Sequence, residues 1–161
     1  MEDWMVSLPF RDIYCAASEH KLDTYLVAAF VSVESSGQRF KTRFEPGYKY
    51  LLDPGKWARS LVISEETEEK HQMTSWGLMQ VMGATARELG FDEDMPRLTN
   101  ASVGLRYGCL YLKKCMVRYP NEKSAAIAAY NAGSARQRDD GEYINQSYVD
   151  KILERYNKLK L

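Results

Sequence analysis

The chain has few cysteines, few histidines, no net charge and no long apolar run, and each shortage removes a class of function. Its three cysteines, Cys15, Cys109 and Cys115, are odd in number and include no close metal-type pair, so no disulfide framework is implied. Cys109 and Cys115 stand six apart on an expected helix, a spacing that keeps their side chains from meeting. All three read as small core filler with reduced thiols. His20 and His71 lie far apart in polar stretches, so no metal site is expected. Lys plus Arg and Asp plus Glu balance at 22 each. A neutral chain offers no electrostatic case for nucleic acid or an anionic membrane, and no long-range pull on an acidic polymer. No run reaches the roughly 20 apolar residues of a membrane helix, so no membrane insertion is expected. Met1 to Ser7 carries early acidic residues and lacks the apolar core of a signal peptide, so synthesis in the cytoplasm without an export signal is expected.

What is present is enough for one domain spanning residues 1–161, with a sizeable core. Apolar spacing predicts a first helix from Pro9 to about His20 and a central helix from Leu22 to Ser36. Gln38 to Thr74 is the least regular region. Within it, Asp53-Pro54 reads as an N-cap and first helical residue for a short helix over Lys56–Leu61. Glu65 to Glu69 reads as a solvated, charged helical segment. Further helices are predicted over Leu78–Leu89, Asn100–Tyr119 and Ser124–Gly133, and from Asn145 to Lys158, with Gly90, Pro120 and Gly133 as stops. No strand pattern of useful length appears. The fold class is therefore all-α in the main, with room for a minor β element in 39–63.

The most apolar run, Tyr25 to Val31, ends on Glu34-Ser35-Ser36-Gly37. Helical spacing puts Val27, Phe30 or Val31, and Glu34 on one inward face. Gly37 suits the left-handed position after a helix end. A carboxyl half-sunk in apolar surroundings resists ionising, and one still protonated near neutral pH can act as a general acid. The alternative is a Glu at a helix end that simply reaches water.

Three more blocks follow in order: Ser75-Trp76-Gly77-Leu78-Met79-Gln80, Ala129-Tyr130-Asn131-Ala132-Gly133, and Tyr148-Val149-Asp150. Asn100, Gly104, Tyr107, Tyr111 and Leu112 add a helix of matching type. Together, over roughly residues 22–157, they resemble the soluble lytic transglycosylase family, which has a goose-type lysozyme-like fold. The resemblance implies a lysozyme-like helical domain acting on peptidoglycan glycan strands, working as a monomer without cofactor. It implies that Glu34 is the sole catalytic acid/base. Glu34 would protonate the oxygen leaving N-acetylmuramic acid, then deprotonate that sugar's own 6-hydroxyl to form a 1,6-anhydro end. An intramolecular hydroxyl is already close to the reacting carbon, so no second carboxylate is required. By the same resemblance Ser75 would hydrogen-bond the sugar, Met79 and Gln80 would line the cleft, and Tyr130, Asn131 and Tyr148 would stand near the acid and the reacting ring. Core packing is the competing reading for Met79, Tyr130 and Tyr148.

The chain departs from the family in the roughly 37 residues from Gln38 to Thr74, where members often have a short link. That insertion contains Glu45. A Glu45 that reached the cleft would be a second carboxylate able to activate water, making the protein a muramidase. Arg43 and Pro46 beside it suit a structural role instead. Phe44, Tyr48, Tyr50 and Trp57 form either a sugar-stacking wall or a satellite core. A third reading, of another class, is a non-catalytic peptidoglycan-binding module. The missing export signal suits a bacteriophage lysin, delivered to the cell wall at lysis or with the virion.

Overall fold

A computed structural model describes residues 3–161. Met1 and Glu2, which open the acidic N-terminal stretch and the expected 1–161 domain, lie outside the described residues. A short helix α1 (Asp3–Val6) leads into α2 (Phe10–Glu19), which buries Ile13, Ala16 and Ala17. That inward face leaves Cys15 on the other side, exposed, so Cys15 is not core filler. Cys109 and Cys115 are buried as expected, and burial pushes their thiols up to about 12 and about 11.

Helix α3 (Thr24–Ser35) begins at Asp23, whose carboxylate accepts from the Tyr25 and Leu26 amides at 2.8 and 3.3 Å. Every residue from Leu26 to Ser32 is buried, not only one face. A helix that is apolar all round belongs at the centre of a fold. Beyond it lies the irregular region, which holds β1 (Thr42–Phe44), α4 (Pro54–Leu61) and α5 (Glu65–Gln72). Pro54 does open α4, but Asp53 takes a left-handed φ of 39° and its side chain makes no capping bond.

The minor β element is real but only one of its strands falls in 39–63. β1 pairs with β2 (Thr74–Trp76), and β2 with β3 (Val81–Met82), in an antiparallel sheet of order β1-β2-β3. The helix expected over Leu78–Leu89 shrinks to α6 (Gly83–Glu88). Gly77 and Gln80 have φ of 74° and 48°, which reverse the chain between β2 and β3 and cannot continue a right-handed helix. Gly77 is required there, because a Cβ would stand 2.4 Å from the Leu98 carbonyl oxygen.

A 3₁₀ turn (Met95–Thr99) precedes α7 (Ala101–Arg118), capped by Asn100 through the Val103 amide at 3.2 Å. α8 (Lys123–Ala132) stops at Gly133, and α9 (Gln146–Leu159) buries Val149, Ile152 and Tyr156. α2 and α9 pack along α3, and α7 bridges α2 and α8. The result is the mainly helical, lysozyme-like architecture with a small sheet. No helix among the described residues is long and apolar enough to cross a membrane.

The charged segment Glu65–Glu69 is not simply a solvated face. Glu68 and Gln72, one turn apart on α5, both point inward and are buried. Arg87 of α6 grips Glu68 with two bonds of 2.8 and 3.0 Å, both side chains fully enclosed. Gln72 donates to Glu68 at 2.9 Å. It also exchanges two bonds with the Leu52 backbone, at 2.7 and 3.0 Å, as a strand partner would. These contacts moor the Tyr48–Asp53 loop to the body.

Candidate active site

The last turn of α3 carries Glu34, and its backbone is held from three sides. Ser35 donates to the Leu78 carbonyl at 2.8 Å, tying the helix end to the β2–β3 turn. Ser36 and Gly37 both take positive φ, and a Cβ on Gly37 would lie 2.4 Å from the Ser7 carbonyl oxygen. The chain therefore swings away at once and returns at Lys41, whose ammonium donates to the Glu34 main-chain carbonyl at 2.5 Å. That bond satisfies one of the helix's unpaired carbonyls and sets a cation at its negative end.

The Glu34 side chain is partly buried and faces a cleft of about 520 Å³. Its Oε1 accepts a hydrogen bond from the Tyr148 hydroxyl of α9. Burial raises the Glu34 pKa above the usual carboxylate range; the Tyr148 bond and the charges of Lys41 and Arg43 oppose that rise without cancelling it. Burial and the neighbouring carboxylate together push the Tyr148 phenol well above its ordinary value, so it is a lasting donor.

Most of the other residues singled out from the sequence are brought to this cleft. Ser75, Gln80, Tyr130, Asn131, Tyr148 and Glu45 all line it. Each is also held by partners within the protein. Ser75 donates to the Gln80 side-chain oxygen at 3.0 Å, and the Gln80 amide donates to the Lys41 and Gly77 carbonyls at 2.9 Å each. Gln80 thus ties the residue ahead of β1 to the turn that follows β2. Tyr130 donates to the Met79 carbonyl at 2.7 Å rather than to Glu34. Its ring packs between Phe30 and Tyr111, at 4.6 and 5.0 Å. Met79 itself is fully buried beneath the cleft, its side chain filling the space over Gly108. Asn131 is exposed and accepts from Asn145 at 2.9 Å.

Glu45 follows β1, its carboxylate ion-paired with Arg43 at 2.9 Å. The aromatic cluster divides: Tyr48 and Tyr50 line the cleft, stacked edge-on at 5.6 Å, whereas Trp57 lies against the Arg87 guanidinium at 4.7 Å. Lys41, Arg43 and Asn145 were not anticipated as site residues. Arg43 sits in a strand too short for a pattern, Lys41 just ahead of it, and Asn145 looks like a plain helix cap. Among the described residues no group of His, Cys, Asp and Glu is placed to hold a metal.

A mostly helical body with one desolvated acid at the end of its core helix, facing a small sheet across a cleft, defines the lysozyme-like class of protein. The transglycosylase SLT domain family model matches residues 13–152, and the chain belongs to that family. At family level this supports lytic transglycosylase-type activity on peptidoglycan. No solved structure matches the chain.

Proposed function

We propose that this protein cuts the β-1,4 bond between N-acetylmuramic acid and N-acetylglucosamine and leaves a 1,6-anhydro end. The observation that carries this reading is Glu34: one carboxyl of raised pKa, held by a neutral phenol and open to a cleft. Protonated Glu34 donates to the glycosidic oxygen as its bond to the muramic C1 breaks. The carboxylate then takes the proton of the same sugar's 6-hydroxyl as that oxygen bonds to C1. The proton returns to Glu34, and no water is consumed. A phenol suits this cycle, since it orients the carboxyl without fixing its charge as an ion-pair partner would. Lys41 and Arg43 favour the carboxylate formed halfway.

One observation favours a second reading. Glu45 lines the same cleft, so a water held by Glu45 would make the protein a muramidase. Its bond to Arg43 engages one oxygen of that carboxylate and supports the bystander role. Mass analysis of digested peptidoglycan decides between them, because the anhydro end is lighter by one water than a reducing end. The expected outcome is anhydro ends from wild type and from Glu45→Gln alike. Reducing ends alone, lost in Glu45→Gln, establish the muramidase. Walls that are bound but never cut establish a binding module.

A further inference from the structure

The stretch that departs from the family begins one turn after Glu34, and its first residues fold back onto the helix that carries the acid. The Gln38 amide, which in a longer helix would bond the Glu34 carbonyl, bonds the Ser35 carbonyl instead at 3.0 Å. The Glu34 carbonyl is thereby left to the Lys41 ammonium, which donates to it at 2.5 Å. Lys41 is itself fixed. Its own carbonyl accepts from the Gly77 amide at 2.8 Å and from the Gln80 side chain at 2.9 Å. Ser75 of β2 holds Gln80 in turn, at 3.0 Å. A line of hydrogen bonds therefore runs from β2 through Gln80 and Lys41 to the main chain of Glu34. The Glu34 side chain is held separately, by Tyr148 of α9.

We infer that Lys41 is a positioning residue for Glu34: the insertion returns an ammonium to the end of α3, where it fixes the main chain of the acid and sets a positive charge beside it. The inference rests on the reaction proposed above, in which Glu34 is acid and base in turn. Burial favours the protonated half of that cycle, and the charge of Lys41 favours the ionised half. The other charged or titratable groups around the cleft leave that task to Lys41. Arg43 is exposed and ion-paired with Glu45 at 2.9 Å, so each offsets the other's field. Lys41 bonds a neutral carbonyl, which cancels none of its charge. Tyr48 and Tyr50 of the insertion, Tyr111 of α7, Tyr130 of α8 and Tyr148 of α9 complete the lining. Burial pushes the phenols of Tyr48, Tyr111, Tyr130 and Tyr148 upward, so these four stay neutral while Glu34 titrates.

The test replaces Lys41 and reads Glu34 in two ways. Lys41→Met should move the titration of the Glu34 side-chain carboxyl, followed by carbon-13 NMR, to higher pH. It should also lower kcat on purified peptidoglycan roughly tenfold with KM little changed, the scale of one hydrogen bond from a charged group. The alkaline limb of the pH profile should rise with the titration. Lys41→Arg keeps a cation and its donors on a stem of similar reach, so it should restore the titration and most of the rate. The titration is read on folded protein, so a loss of stability cannot imitate its movement. A Glu34 titration unmoved in Lys41→Met overturns the inference. So does a moved titration with undiminished kcat, which would leave Lys41 a bystander to the reaction. Failure of wild type to cut peptidoglycan would count against the proposed reaction alone, because the carboxyl titration is read without substrate.

Discussion

Glu68 is enclosed by Arg87 and Gln72, with both carboxylate oxygens bonded and no exposed surface, whereas Glu34 is gripped by one phenol and left facing a cleft. Both carboxyls are withdrawn from water, yet their partners differ in kind. A cation and an amide lock Glu68 into a mooring between α5 and α6. A neutral donor leaves Glu34 free to gain and lose a proton. Partner type therefore separates the structural acid from the one proposed for the chemistry more sharply than burial does.

The comparison breaks most visibly if Glu34 can be replaced. Glu34→Gln should lower the rate of wall cleavage on the order of 10³-fold while the protein stays folded, read by product release from purified peptidoglycan. Equal cleavage by the variant would remove Glu34 from the chemistry. Arg87→Met should do the reverse. It strands a buried carboxylate and should cost about 3–5 kcal/mol of stability in urea unfolding. Adding Glu68→Leu to that variant should recover most of the loss, since an apolar pair of similar volume needs no charge compensation.

Tyr148→Phe sharpens the contrast from the other side. Removing the phenol should lower kcat roughly tenfold, the scale of one hydrogen bond to a charged group. It should also move the alkaline limb of the pH profile upward, because the Tyr148 bond acts to lower the Glu34 pKa. A kcat drop with no movement of that limb would reduce Tyr148 to packing. The smallest effect concerns stability against pH. Folded Glu34 keeps its proton to higher pH than the unfolded chain does, so stability falls as pH rises from the ordinary carboxylate range through the raised value. Below that window the penalty is absent. Glu34→Gln should thus melt above wild type at pH 8, with the gap closing by pH 4.

The helices and the acid were legible because they rest on local signals. Asn100 before an apolar helix, Gly133 after one, and a Glu closing the most apolar run all have meaning within a few residues. The β2–β3 turn was not legible. Leu78 to Leu89 has helical apolar spacing, and only the close approach of Gly77 to Leu98 and the positive φ of Gln80 show why the chain reverses first. Glu68 was misplaced for a similar reason. Four glutamates within five residues look solvated, and nothing nearby announces that Arg87, nineteen residues on, will claim one of them.

By itself the sequence singled out a lone acid at a core helix end, with Ser75, Gln80, Tyr130, Asn131 and Tyr148 in order behind it. Only the tertiary structure decided how each is used. It gave Tyr148 the acid, turned Tyr130 and Gln80 to the backbone, sank Met79 beneath the cleft and brought Glu45 to its wall. The physical reason is range. Helix periodicity and capping act over a few residues, whereas a hydrogen bond between Glu34 and Tyr148 spans 114 positions and exists only once α3 and α9 have packed.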